Sequence, residues 1–537
     1  MTSERVYLFD TTLRDGGQTR GIDFTVADKI AIAKALDEFG IDYIEGGWPG
    51  ANPTDDSFFG EPPRFQNSKF VAFGMTRRAG RSTENDPGLN AVLDAETDAA
   101  CLVGKTWDFH VETALNITQS ENLEMIKSSI AAAVAKGREA MFDCEHFFDG
   151  YKANRDFAMA CVKAAHEGGA DWVILCDTNG GTLPDEVFDI VSDVKKSLPD
   201  VNLGIHCHND TGLAVANSLA AVKAGARQVQ GTINGLGERC GNANLITLIP
   251  NLMVKLGYET NIPQDKLPKL VSLSRLIDDR LNRMPNAHAP YVGQAAFAHK
   301  GGLHASAAQK DPRTYEHVPP ETVGNMRQYL ISDQTGKSNI LARFKEVGIE
   351  IDPKDARLDK LIAAVKDKEF EGWSFDSAEA SFELMARQAL GQVPDYFSIG
   401  RFRVMDERRF NAKGELIVES EATASVTVCG KTHHEVAIGN GPVNAVDTAL
   451  RKALIEAYPL LSSVELTDYK VRILEPQNGD KGTGAVTRVL IEFQDETDHI
   501  WRTCGVSTNI IDASVIALAD GMRYKLHREQ AELPHAS

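Results

Sequence analysis

The eight cysteines of this chain are scattered, and no two of them stand in a Cys-x-x-Cys pair. Neither a thiolate zinc site nor a disulfide framework is therefore indicated. Cations are also short: 57 Lys and Arg against 76 Asp and Glu leave a net charge of −19. Such a chain has no basic footprint for nucleic acid, and an anionic substrate has to be met by local cations rather than by the global field. No apolar run reaches membrane-spanning length, and the N-terminal stretch MTSERVYLFDTTLRDG lacks the apolar core of a signal peptide, so a cytoplasmic protein without membrane contact is expected. A glycine-rich phosphate loop is missing after the first strand, where DTTLRDGGQ stands instead. That argues against an open, doubly wound dinucleotide fold.

What is present is length and alternation. At 537 residues the chain should divide into about two or three domains. Up to about residue 235, short apolar runs alternate with amphipathic stretches, the pattern of βα units around a parallel sheet. Eight runs read as strands: VYLFD, DYIEGG, KFVAFG, AACLVG, EAMFDCE, DWVILCD, NLGIHCH and QVQGTIN. Between the first two, TVADKIAIAKALDEFG reads as a helix that Thr25 can cap with Asp28 and that Gly40 can end. Eight such units close into a (β/α)8 TIM barrel, expected over residues 1–280. Polar residues cluster just after the strand runs, at Arg14, Asp15, Glu45, Glu145, Asp177 to Asn179, His206, His208 and Asn242. In this fold those strand ends form the active-site face.

After residue 280 the alternation stops. Residues 281–395 read as linker subdomains: 285–320 is rich in Gly, Pro and His, an ordered loop with a short helix, and 337–391 is helical and charged, a connector rather than a core. From about residue 400 the pattern turns β-rich. GPVNAVDTALRKAL and VSTNIIDASVIALADGM share an Asn-x-x-Asp, at Asn444/Asp447 and Asn509/Asp512, each opening a helix after strands. Two strand-strand-helix repeats are expected in an α+β C-terminal domain over 396–537.

The stretch GIHCHNDTG places His206 and His208 on one face of a strand, with Cys207 turned the other way. In a closed barrel the first, seventh and eighth strands are neighbours, so Asp15, His206, His208 and Asn242 can converge. Two imidazoles, a carboxylate and an amide oxygen make a mixed N/O set suited to Zn²⁺, Mn²⁺ or Mg²⁺ as a Lewis acid. Arg14, beside Asp15, is either a rim ion pair or a fixed cation aimed at a developing oxyanion. The glycines of GLGER are too few for a phosphate cradle and make the turn that delivers Asn242. Cys176 and Cys207 read as packing residues.

DTTLRDG, HCHND, GLGERCGNAN and FAHKGGLH, in this order and over essentially the whole chain, resemble the acyl-CoA-dependent Claisen synthases, the family of isopropylmalate, homocitrate and citramalate synthases. IEGGWPGANPTDDSFF, GKTWDFH and FDCEHFFDGYKAN are similar to the long citramalate synthase type. Gly17 and GGLHAS depart from the isopropylmalate synthases, which often carry a polar residue and SGIHQD there. The resemblance implies an acyltransferase that condenses acetyl-CoA with pyruvate, or with another small 2-oxo acid, to give (R)-citramalate or its homologue and CoA. It implies a divalent metal on Asp15, His206, His208 and Asn242, with Arg14 polarising the keto oxygen and Thr178 holding the carboxylate. It further implies proton transfer by Glu145 with His304 and Tyr315. Trp48, past the second strand, would then fill space beside the 2-oxo acid so that only a methyl fits, or else merely pack its loop. Lys105, Arg77 and Arg78, which follow strands, read as solvated charge or else as contacts for CoA phosphates.

Two rival classes share these residues: a metal-dependent acyl-CoA lyase or aldolase, and a non-catalytic amino-acid sensor on a decayed barrel. A lyase would lack a second regulatory domain, and intact Arg14, Asp15, Glu145, His206 and His208 argue against decay. Helix N-termini at Asn444 and Asn509 offer N–H donors to a carboxylate, with Asp447 or Asp512 for an ammonium group. The resemblance to the isopropylmalate synthase regulatory domain implies feedback by isoleucine and a homodimer through this domain. The alternative is a structural dimer module in which these residues only cap their helices.

Overall fold

A computed structural model describes residues 4–281, 283, 285–329, 340, 341, 344, 347–375, 377–474, 485–531 and 533. Eight parallel strands close a barrel in sequence order: β1 Tyr7–Asp10, β2 Tyr43–Gly47, β3 Lys69–Met75, β4 Ala99–Lys105, β5 Glu139–Glu145, β6 Trp172–Asp177, β7 Leu203–Cys207 and β8 Gln228–Gly231. Closure is made by β8 pairing with β1, Leu8 opposite Val229 and Asp10 opposite Gly231.

Helix α1, Val26–Phe39, shows how the local sequence makes one unit. The Thr25 hydroxyl accepts from the Asp28 N–H while the Asp28 carboxylate accepts from the Thr25 N–H, and Gly40 ends the helix at a φ of 106°. Ile32, Ala33, Leu36 and Phe39 bury one face of it. Successive strand residues then divide between two cores. Phe9, Tyr43, Val71, Cys101, Met141, Ile174 and Cys176 fill the barrel interior. Leu8, Ile44, Ala72, Leu102, Val173, Ile205 and Cys207 pack outward beneath the helices. Both Cys176 and Cys207 are thus packing residues, on opposite sides of the wall.

The chain forms two compact units, one of residues up to 297 with 318–326, the other of 298–317 with the residues from 327 on. In the second unit the helices Ala356–Phe370 and Glu379–Ala389 are more than a connector, contrary to expectation. Leu358, Leu361 and Val365, at helical spacing, pack with Ile340, Phe344, Phe375, Phe382 and Ala386 into a small core of their own. The high charge of this stretch hid that apolar stripe.

The C-terminal part is α+β and built as two repeats. Strands Ser398–Phe410, Leu416–Val428 and Lys431–Gly439 form one antiparallel sheet, followed by helix Pro442–Ile455. Strands Glu465–Ile473, Thr487–Gln494 and Ile500–Ser507 form the next, followed by helix Ile510–Arg528. Each repeat holds three strands, one more than expected, and both helices pack into one core with Ala422, Ala424, Val489, Ile491, Phe493 and Trp501. Among the described residues no helix is long and apolar enough to cross a membrane.

Candidate active site

At the C-terminal mouth of the barrel, ligand atoms of Asp15, His206 and His208, all buried, lie within 4.8 Å of one another. His206 lies on β7 and His208 one residue past it, so the period of two puts both imidazoles on the inner side. Asp15 Oδ2 is 3.4 Å from His206 Nε2 and 3.7 Å from His208 Nε2. Donor atoms about 2.0–2.1 Å from one cation stand roughly 3.0–3.4 Å apart, so the His206 separation fits a shared ion and the His208 one is a few tenths of an ångström wider.

Asn242 is brought alongside by a bridge to His208, with the Ala243 N–H donating to the Cys207 carbonyl at 2.9 Å. The glycine loop makes this possible. At Gly237, φ +156°, a Cβ would stand 2.5 Å from Asn242 Nδ2, and at Gly241, φ +93°, 2.0 Å from the Gly235 carbonyl oxygen. The Asn242 amide donates to the Leu236 carbonyl at 3.2 Å, which leaves its oxygen for another partner. Asp15 Oδ1 and Asn242 Oδ1 are both buried with no hydrogen-bond partner among the described residues. Buried polar atoms left this way are costly unless a cation or water meets them, and the donor set suits a divalent ion.

Arg14 is fixed on the same rim. Its Nε donates to Glu45 Oε2 at 2.7 Å, its Nη1 stands 3.4 Å from Asp15 Oδ2, and its guanidinium lies 3.9 Å from the Phe73 ring centroid. Burial would raise the Asp15 carboxyl, but Arg14, His206 and His208 outweigh it and hold Asp15 far below the usual carboxylate range. Burial, aided by the neighbouring His206, lowers His208 to about 4, so this imidazole is neutral at pH 7, the form that binds metal. Trp48 packs edge-on against Phe73, centroids 5.6 Å apart, and its backbone N–H donates to Asp55 Oδ2 at 2.9 Å. It therefore stands one ring away from Arg14.

Glu145 ends β5 and pairs with Lys105 Nζ at 2.5 Å. Thr178, after β6, accepts the His146 N–H on its hydroxyl at 2.8 Å, which leaves the hydroxyl hydrogen for a ligand. His304 and Tyr315 belong to the second unit. They are exposed, and their rings meet at 4.3 Å between centroids, tilted by 30°. In the C-terminal repeats, Asn509 caps its helix, accepting from the Ile511 and Asp512 N–H groups. Asn444 lies two residues inside its helix and accepts the Asn440 N–H, while Asp447 pairs with Arg451 at 2.8 Å. The two Asn-x-x-Asp motifs thus start at different helical positions.

Sequence reasoning missed three pairings. Glu45 holds Arg14; Gln230 sets its amide oxygen, an acceptor, 2.8 Å from His206 Nδ1; and Lys105, read as solvated charge, is the partner of Glu145. Arg77, by contrast, is held by Ser128 and Glu121, away from these groups. The register of β4 on β5, Lys105 opposite Glu145, is what sets the last pair, and the sequence does not state that register.

Fold and site together define a (β/α)8 barrel with a mixed N/O cluster at its mouth that could hold a metal ion. Residues 5–277 match the HMGL-like family, 291–371 the homocitrate synthase post-HMGL domain-like family, and 376–526 the LeuA allosteric (dimerisation) domain. The chain is 51% identical over 532 residues to the (R)-citramalate synthase of Aquifex aeolicus, covering 99% of each. It is 51% identical over 527 residues to that of Geobacter sulfurreducens, covering 98% of each. Against a probable 2-isopropylmalate synthase of Methanopyrus kandleri the identity is 34%, covering 98% of this chain and 99% of that protein. The chain belongs to the family of (R)-citramalate synthases.

Proposed function

We propose that the chain condenses acetyl-CoA with pyruvate and releases (R)-citramalate and CoA. The observation that carries this is the end-to-end likeness to (R)-citramalate synthases, reinforced by a mouth that presents the groups the chemistry needs. A divalent cation held by Asp15, His206, His208 and Asn242 would supply Lewis acidity toward the keto and carboxylate oxygens of a 2-oxo acid. Arg14, clamped by Glu45, points a fixed positive charge at the oxygen where negative charge grows as the keto carbon is attacked. The Thr178 hydroxyl donates to the substrate carboxylate.

Glu145 takes a proton from the acetyl methyl, and the resulting enolate carbon bonds to the keto carbon. The new alkoxide takes up a proton, and water then cleaves the thioester into carboxylate and thiol. His304 and Tyr315 carry protons in these steps; their mutual contact and exposure suit the role. Trp48 limits the acid's side chain to a methyl.

The same proposal includes feedback by isoleucine at the C-terminal repeats, around Asn444, Asp447, Asn509 and Asp512, and a cytoplasmic homodimer; the match to the LeuA allosteric (dimerisation) domain supports both regulation and assembly. Isoleucine should inhibit more strongly than leucine or valine, with a coupling of ~1–3 kcal/mol, and a chain truncated near residue 395 should lose the response. Titration calorimetry of isoleucine into the full chain, run beside kinetics, checks this. No heat of binding, or inhibition that competes with pyruvate, would reduce the repeats to a dimerisation element.

A further inference from the structure

The barrel interior below the site holds a short polar chain with no part in the steps above. Gln230, on β8 and fully buried, places its Oε1 2.8 Å from His206 Nδ1. Its amide nitrogen faces two oxygens, Asp143 Oδ1 at 3.2 Å and Gln228 Oε1 at 3.4 Å. Turning the amide over would set its oxygen against both of those acceptors, so the network fixes which end faces the histidine. A carbonyl oxygen opposite Nδ1 requires that Nδ1 carry the proton.

We propose that Gln230, anchored by Asp143, is the positioning residue that holds neutral His206 in its Nδ1–H tautomer and so aims the Nε2 lone pair at the metal. This rests on the assignment of Asp15, His206 and His208 as metal ligands. In this neutral form the Nε2 lone pair faces Asp15 Oδ2 at 3.4 Å, two acceptors that either a metal ion or a second proton on the ring brings together. A histidine ligand whose other ring nitrogen donates to an oxygen is fixed in ring orientation and made more basic. The amide does here what a carboxylate or backbone carbonyl does elsewhere.

Three proteins test it: the full chain, Gln230→Leu, which removes the acceptor, and Gln230→Glu, which keeps an oxygen opposite Nδ1 and can share a proton with Asp143. Mn²⁺ alone is the probe, titrated into metal-stripped protein with the free ion followed by electron paramagnetic resonance. Loss of such a partner commonly weakens metal binding about 10- to 100-fold, which is expected for Gln230→Leu, while Gln230→Glu should stay within about threefold of wild type. In parallel, ¹⁵N-histidine spectra of the metal-free full chain, at a pH where the imidazole is neutral and with His206 assigned by its loss in His206→Gln, should show a pyrrole-type Nδ1 and a pyridine-type Nε2. That spectrum is read on the unsubstituted chain and does not depend on how the variants fold.

A protonated Nε2 in the wild type overturns the inference outright. So does unchanged Mn²⁺ affinity in a folded Gln230→Leu, or equal weakening in the Leu and Glu variants, which would mark Gln230 as packing only. If the wild type itself holds no Mn²⁺, the metal assignment fails and the inference falls with it.

Discussion

Replacing Glu45 by Gln tests the idea that a buried carboxylate sets Arg14. Glu45 is fully buried and Arg14 nearly so, and one carboxylate oxygen accepts both Arg14 Nε at 2.7 Å and the Thr11 hydroxyl. The amide oxygen of Gln can take that place, but its NH2 then occupies the position of Glu45 Oε1, which has no hydrogen-bond partner among the described residues. An unsatisfied buried donor costs roughly 1–3 kcal/mol, and losing one member of a buried pair roughly 3–5 kcal/mol. Asp15, 3.4 Å from Arg14, offsets part of the second cost. A net loss of about 3 kcal/mol is expected, a fall of roughly 6–12 °C in the barrel's transition at ~2–4 °C per kcal/mol.

Activity should fall further than stability accounts for, because a guanidinium left with Asp15 alone swings toward it and competes for the oxygen that binds the cation. A drop of about 100-fold in kcat/KM, near 2.7 kcal/mol, is the corresponding expectation. Calorimetry and CoA-thiol release from acetyl-CoA with pyruvate read the two effects. Burial raises the Glu45 carboxyl against the pull of Arg14. If Glu45→Gln melts and turns over like wild type, the carboxyl is neutral in the native protein, and the electrostatic account of Arg14 is wrong.

Trp48→Gly should narrow the preference for pyruvate over 2-oxobutyrate and 2-oxoisovalerate, since one methylene in such a pocket is worth ~1–3 kcal/mol in kcat/KM; an unchanged ranking would leave Trp48 as loop packing against Phe73. In the C-terminal repeats, burial raises Asp520 to about 6, with Arg523 and Ser381 opposing. Between about pH 4 and 6 the folded protein keeps a proton that the unfolded chain has released, so stability is full at the acid end and declines as pH rises, by roughly 3 kcal/mol in all. Asp520→Asn should flatten that slope in pH-dependent calorimetry, and a slope that persists would assign it to another group.

The barrel was legible because its strands are short, apolar and spaced by capped helices, and α1 shows cap, stripe and stop in consecutive residues. The third strand of each C-terminal repeat was not. Strand Ser398–Phe410, SIGRFRVMDERRF, is largely exposed, so it lacks the alternation that a half-buried strand writes into its sequence. At the site, His206 and His208 announce themselves by the period of two, and Asn242 by the glycine turn before it. Glu45 stood among the strand-end polar residues, but its hold on Arg14 carried no mark, and neither did Gln230. Each is a lone polar residue inside a strand, and whether it faces the helices or the barrel axis, and which histidine or arginine it meets there, depends on closing all eight strands with one register. Lys105 was misread for the same reason: its partner lies on the neighbouring strand, 40 residues away in the sequence.

The measurement that bears most directly on the central claim is CoA-thiol release from acetyl-CoA by the full chain with a panel of 2-oxo acids, with and without a chelator, and with the product identified. Rapid release with pyruvate, (R)-citramalate as product, weaker turnover of larger acids and loss of activity on chelation with return on adding Mn²⁺, Zn²⁺ or Mg²⁺ are predicted. Silence with every acid, despite bound metal, would contradict the account.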